Sequence, residues 1–138
     1  MQREIKFRGR RVDNGEWVYG DLWQNKCKHI VPFDTGSLIE VDPATVGQFS
    51  QEKDVNEKEI YDGDKVKFTV FDYNGHDTQY TGIVRFACGM WQIWESADND
   101  FFGSNGAFDL WWVCQQDDTV EIIGNIHDNP ELLGKPNV

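Results

Sequence analysis

Apolar residues in this chain recur at every second position rather than at every third or fourth. Glu4-Ile5-Lys6-Phe7-Arg8 and Lys65-Val66-Lys67-Phe68-Thr69-Val70-Phe71 alternate in this way. A period of two places one side-chain set on a buried face and the other in water, which is the pattern of a half-buried strand. No capped amphipathic helix of ordinary length is visible anywhere. The chain is therefore expected to be mainly β, with only short helical turns.

Turn signals divide the strands. Asn14-Gly15 separates Glu4–Arg8 from a return strand at Trp17–Trp23, and Asn-Gly suits a hairpin because both residues tolerate positive φ. Lys28–Val31 reads as a third strand, stopped by Pro32, and Thr45–Phe49 as a short fourth. The polar run from Gln51 to Lys58 reads as a surface loop. After the tight turn Asp62-Gly63-Asp64, strands are expected at 65–71, 80–86, 90–94, 108–114 and 119–126, with Asn74-Gly75 and Cys88-Gly89 as turns and a loop at 95–107. Short helical turns are expected near Asp42-Pro43-Ala44-Thr45 and at Asn129-Pro130-Glu131-Leu132-Leu133, where Asn129 can cap and Pro130 suits the first helical position. Five strands behind a Gly-Asp turn, with Gly63-Asp64-Lys65-Val66 and Gly82-Ile83-Val84, outline a small SH3-like β-barrel. The expected organisation is a β-rich lobe at 1–58 packed on a barrel lobe at 59–138, the second ending in the helical turn.

The 138 residues carry a formal net charge of −11. Residues 1–11 hold Arg3, Lys6, Arg8, Arg10 and Arg11 against Glu4 alone, so this segment is +4 and the remainder −15. Between Arg85 and Lys135 there is no Lys or Arg, while nine Asp and Glu stand there. Such a surface repels a nucleic-acid backbone, which is bound by basic groups that displace its counterions. Alternation puts Lys6, Arg8 and Arg10 on one face, a strip too thin for direct nucleic-acid binding to be expected. No apolar run reaches the roughly 18 residues of a membrane helix. The first residues, Met1-Gln2-Arg3-Glu4, lack a signal peptide's apolar stretch, so a cytoplasmic location without membrane contact is expected.

Chemistry-bearing motifs are weak. Cys27, Cys88 and Cys114 form no CxxC pair and are expected as reduced, small apolar residues. His29, His76 and His127 show no zinc spacing. Asp98 to Asp109 imitates a calcium loop, but its fifth position, Phe102, offers no side-chain oxygen and its twelfth is Asp rather than Glu. Asp62 with Asp64, and Asp117 with Asp118, fall at turns, where carboxylates accept local backbone hydrogen bonds. No catalytic residue, metal ligand or cofactor is assigned. The aromatic residues say more. Trp91 and Trp94 must take opposite faces of one strand, and Trp111 and Trp112 are adjacent, so on the expected strand they too point apart. One of each pair can fill the core. The other needs cover from the second lobe, a subunit or a ligand, which makes Trp94 and Trp112 interface candidates.

Three sequence blocks resemble a known family. Arg3–Gly9 with Asn14–Gly20, then Thr45–Phe49 with Lys58–Asp64, then Glu121–Ile126 with Asn129–Leu133, are similar in order to the YopX-like phage and prophage proteins. The resemblance spans nearly the whole chain. It implies occurrence in phages or prophage-carrying bacteria, a β-rich fold and a tendency to self-assemble. It transfers no activity and no catalytic residues.

The expected function is therefore that of a non-enzymatic phage or prophage accessory protein in the bacterial host cell, self-assembling or binding other proteins. In the homo-oligomer, Arg3, Lys6, Arg8 and Arg10 of one copy would meet Asp117, Asp118 and Glu121 of the next. The alternative is an acidic decoy for a basic nucleic-acid-binding host protein, and a basic protein of host or phage is the possible partner. A small-substrate enzyme with a cleft between the lobes is a second alternative, although no residue proposes a reaction.

Overall fold

The alternating run at 65–71 forms a strand, that at 4–8 does so only from Phe7, and the strands form two antiparallel sheets. The computed structural model describes residues 4–71, 75–96, 98–100, 102, 106–115 and 119–128. The chain divides into two compact units, Met1–Gln51 and Glu52–Val138.

The first unit is built on β1 (Phe7–Arg10), β2 (Trp17–Gln24), β3 (Lys28–Val31), β4 (Ile39–Glu40) and β5 (Gly47–Lys53), which runs across the unit boundary. The hydrogen-bonded order is β4-β3-β2-β1-β5, followed by β6 (Glu59–Tyr61). The expected turn at Asn14-Gly15 joins β1 to β2, with Gly15 at φ +75°. It sets the register Arg10 opposite Trp17 and Arg8 opposite Tyr19. Asp42 opens a 3₁₀ turn at Pro43–Thr45, its carboxylate accepting from the Ala44 amide at 3.0 Å. Ile30, Val41 and Phe49 supply the buried apolar residues of this unit.

The second unit carries β7 (Asp64–Phe71), β8 (Asp77–Ala87), β9 (Met90–Trp94), β10 (Phe108–Asp109), α1 (Leu110–Cys114) and β11 (Glu121–Asn125). Its sheet order is β10-β9-β8-β7-β11. Among the described residues β10 and β11 stand at opposite ends of that order, so the sheet does not close into the expected SH3-like barrel. Its inner face buries Val66, Phe68, Val84 and Ile93 together with Leu110 and Val113.

Several segments depart from the sequence reading: the first strand is Phe7–Arg10 rather than 4–8, Ile39–Glu40 and Glu59–Tyr61 are strands that were not expected, and two further departures have a clear physical reason. Residues 108–114 were expected to be one strand, but only Phe108–Asp109 is extended and Leu110–Cys114 is a turn of α-helix. The Asp109 carboxylate caps it, accepting from the Trp112 amide at 3.1 Å. Leu110 and Val113, three residues apart, then point together into the core. The β-favouring Trp111, Trp112 and Val113 hide this, because propensity is a weak prior against a cap and two buried contacts. The polar run after Gln51 is likewise not all loop. Strand β5 continues to Lys53, and Asp54 is buried. Its Oδ1 accepts from the amides of Asn56 (2.8 Å) and Lys58 (2.9 Å), and its Oδ2 accepts from Ile122 in β11 (3.0 Å). A carboxylate thus satisfies an amide that a bare sheet edge would leave open. The helical turn expected at 129–133 lies outside the described residues.

Candidate interaction surface

The cations at the start of the chain lie against aromatic rings of their own unit. The Lys6 ammonium is 5.6 Å from the Phe49 ring centre and 3.2 Å from Glu4. The Arg8 guanidinium lies 4.5 Å over Trp17, and Arg8 is only 5% exposed. Arg10 approaches the same ring at 5.9 Å and donates through Nε to the Gly15 carbonyl at 3.1 Å. Alternation does bring Lys6, Arg8 and Arg10 to one face, as the period of two requires. That face holds these charges over Phe49 and Trp17, where cation–π attraction contributes roughly 0.5–2 kcal/mol each. Arg3 lies outside the described residues.

Of the acidic candidates, Glu121 pairs across strands with Lys67 at 3.4 Å. Asp117 and Asp118 lie outside the described residues. Trp94 is half-buried, and its Nε1 donates to Gln92 at 2.8 Å. Trp112 is 41% exposed and its neighbour Trp111 is 60% exposed. They share one face of α1 because the helix turns Leu110 and Val113 inward instead.

The hairpin of β8 and β9 adds a second exposed apolar element. Its two-residue turn, Cys88-Gly89, has φ of +54° and +77°. Positive φ at both positions is the type I′ geometry that matches strand twist. Phe86 stands opposite Trp91 in the register, their ring centres 5.1 Å apart and their planes inclined at 63°. Trp91 packs on the core, whereas Phe86 is 54% and Met90 38% exposed. From Phe86 to Met90 no side chain is charged or carries a strong hydrogen-bonding group. That run was legible in the sequence as an apolar tip on a predicted turn, where polar residues are the norm. Trp111 was hidden by reading its segment as a strand.

The remaining polar groups hold the fold together. The blocks 58–64 and 121–126 meet, with Asp64 opposite Asn125 and the Ile126 amide donating to the Gly63 carbonyl at 3.1 Å. Asp64 is buried and accepts from the Tyr61 amide at 2.8 Å. Asn125 accepts from the amides of His127 (2.9 Å) and Asp128 (2.8 Å). Asp62 faces Arg85 at 3.5 Å. Asp64, with Asn125, fixes a turn through backbone amides, as expected of Asp64 from its position, whereas Asp62 faces a side chain of the neighbouring strand. In the calcium-like loop, Asp109 serves as the helix cap and Asp98 faces the Ser96 hydroxyl at 3.2 Å. Among the described residues no three His, Cys, Asp or Glu side chains converge to hold a metal ion.

Burial, with help from the charges of Glu52 and Asp54, pushes the Cys114 thiol up to about 12. Cys27 and Cys88 are exposed. Only the thiolate is nucleophilic, so at pH 8 an aromatic disulfide reagent is expected to titrate two thiols of the native chain quickly. The third should react only after denaturation. Fast reaction of all three would show that Cys114 is not covered.

Burial and then the charge of Asp109 push the Glu52 carboxyl above its ordinary 4.5. A folded-state value above the unfolded one favours the protonated form in the fold. Its contribution is therefore intact below the ordinary value and is lost as pH rises through the raised one. Glu52→Gln, which imitates the protonated form, should raise the melting temperature at pH 7 and leave it unchanged near about pH 3. Equal melting at both pH values would contradict the assignment.

The family model described as YopX protein matches residues 6–134. No curated protein matches the sequence significantly. Among solved structures, the crystal structure of protein EF1440 from Enterococcus faecalis is similar, with a TM-score of 0.55 and 23% identity over 96% of this chain and 99% of that one. At that identity the likeness concerns the fold alone. No helix of the described residues is long and apolar enough to cross a membrane.

Proposed function

This chain belongs to the YopX protein family, and from that premise we propose that it is a non-enzymatic phage or prophage accessory protein of the bacterial cytoplasm, acting by assembling with itself or by binding other proteins. The observation that carries the reading is the exposure of Trp111, Trp112, Phe86 and Met90 in one unit. Adjacent exposed tryptophans such as Trp111 and Trp112 mark an interaction site more often than a catalytic one. The chemistry of the other groups agrees. The carboxylates of Asp54 and Asp64 are engaged by backbone amides, and the Cys114 thiol is held in its neutral form. The acidic-decoy reading has its own support in the cation-free stretch from Phe86 to Gly134.

Sedimentation velocity at low and high salt, paired with capture of partners from a bacterial lysate, tests the proposal. The wild-type chain should sediment above its 16.0 kDa monomer mass or retain specific proteins. Trp111→Ser with Trp112→Ser should reduce whichever is seen. A monomer at every salt concentration, with a captured set indifferent to the tryptophans, would sink it.

A further inference from the structure

Alternation along β2 turns Gly20 and Leu22 inward and sends Asp21 and Trp23 outward, and the burial follows, with Gly20 buried and Asp21 and Trp23 exposed. The register carries this outer face across two more strands. His29 of β3 stands opposite Trp23, and the exposed Glu40 of β4 stands opposite His29. The His29 ring meets Trp23 edge-on, centres 5.3 Å apart and planes inclined at 72°, which holds the indole in place. Trp23 is 41% exposed. Among the described residues neither Asp21 nor Glu40 is in an ion pair, and no cation lies over the Trp23 ring. We infer that this patch docks an arginine-bearing basic segment of another protein, one guanidinium lying on Trp23 and bonded to Asp21, with a second cation at Glu40. This rests on the binding-module reading and adds the chemistry of the partner.

Charge and ring together select the occupant. Elsewhere on the same face the chain fills such a site itself: Arg8 lies 4.5 Å over Trp17 and is 5% exposed, so that pair is closed to a partner. Trp23 offers the same electron-rich ring, with the Asp21 carboxylate two residues away, about 7 Å along the strand. A guanidinium spans that distance. It stacks flat on an indole and presents paired N–H donors to a carboxylate, whereas an ammonium brings only a point charge. Two unpaired carboxylates repel the phosphates of a nucleic acid or an anionic membrane. The neighbouring lysines pair with neither of them. Lys28 stands opposite Gln24 and so belongs to the inner face, and Lys26 lies in the β2–β3 turn, beyond Trp23 from Asp21. A second copy is the poorer occupant, because the described cations of its first segment are engaged at home, Lys6 with Glu4, Arg8 and Arg10 with Trp17, and Arg11 with Asp13.

The test uses the full chain and three fluorescent peptides of one sequence that carry arginine, lysine or citrulline, an uncharged isostere of arginine, at the same positions. The arginine peptide should bind about tenfold more tightly than the lysine peptide, and the citrulline peptide most weakly. Asp21→Asn, which keeps the side-chain shape, should lower the affinity for the arginine peptide about tenfold and erase its advantage over lysine, with the melting temperature unchanged. Trp23→Leu should do the same independently. Glu40→Gln should weaken the arginine and lysine peptides alike. Asp77→Asn removes one exposed charge from the second unit and should alter neither affinity. Equal effects of Asp21→Asn and Asp77→Asn would mean bulk attraction to an acidic chain and would overturn the inference. Equal binding of the arginine and lysine peptides, or binding indifferent to Trp23→Leu, would overturn it too. Loss of self-association in Asp21→Asn, read by sedimentation, would assign the patch to a second copy instead. If no peptide binds while the α1 tryptophans still govern assembly or capture, only this inference fails. If neither is seen, the binding-module reading fails with it.

Discussion

Phe68→Ala is expected to destabilise the second unit by about 3–5 kcal/mol, among the largest effects available to a single substitution in this chain. Phe68 is fully buried in the middle of β7. Its ring stacks on Tyr80 at 5.6 Å and meets Phe108 edge-on at 5.4 Å. Val66, Val84, Ile93, Leu110 and Val113 complete the cluster, so both strands and helix close on this side chain. Alanine would leave a cavity between elements from distant parts of the sequence, and the rigid sheet cannot collapse to fill it. Urea unfolding should show a lower midpoint with an unchanged slope. Phe71→Ala, at the exposed end of the same strand, should shift stability by no more than about 0.5 kcal/mol. Similar losses for the two would show that Phe68 does not centre a core.

Gly20→Ala should cost the first unit about 3 kcal/mol, at the upper end for overpacking. A methyl group there would lie 2.1 Å from the Val31 carbonyl oxygen and 2.8 Å from Pro32 Cα. Both are backbone atoms, so no side-chain rotation relieves the clash and the chain must move. Hydrogen exchange should report faster opening over β2 and β3, while β7 and β8 keep their protection. Gly36→Ala makes a useful contrast. Open space surrounds that position, and only its φ of +69° opposes a side chain, a strain of about 1–2 kcal/mol. If Gly20→Ala were the milder change, β2 and β3 would not approach as closely as described.

Much of the β framework was legible from local chemistry. Lys28–Val31 and Met90–Trp94 are strands with the expected bounds, because alternation and the flanking Pro32 and Cys88-Gly89 signals are local. The turns at Asn14-Gly15 and Asp62-Gly63 stand where Gly tolerates φ of +75° and +96°. The failures share a cause. Asp54 looks like a loop residue until Ile122, distant in sequence, donates to it. Residues 110–114 look like strand until Asp109 caps them and the core accepts Leu110 and Val113. Barrel closure depends on pairing between the first and last strands of the sheet, which no local pattern encodes.

The candidate surface divides in the same way. Composition identified a cation-free stretch holding four of the six tryptophans, and side-chain period placed Lys6, Arg8 and Arg10 on one face. Whether a side chain meets water was beyond it. Arg8 is taken up by Trp17, and Trp111 and Trp112 emerge side by side because a single helical turn replaces a strand. The sequence alone determined the β periodicity, the turns and the separation of charge, since each follows from neighbours in the chain. Only the tertiary structure decided which charges and which rings stay exposed, because burial is set by contacts between residues far apart in sequence.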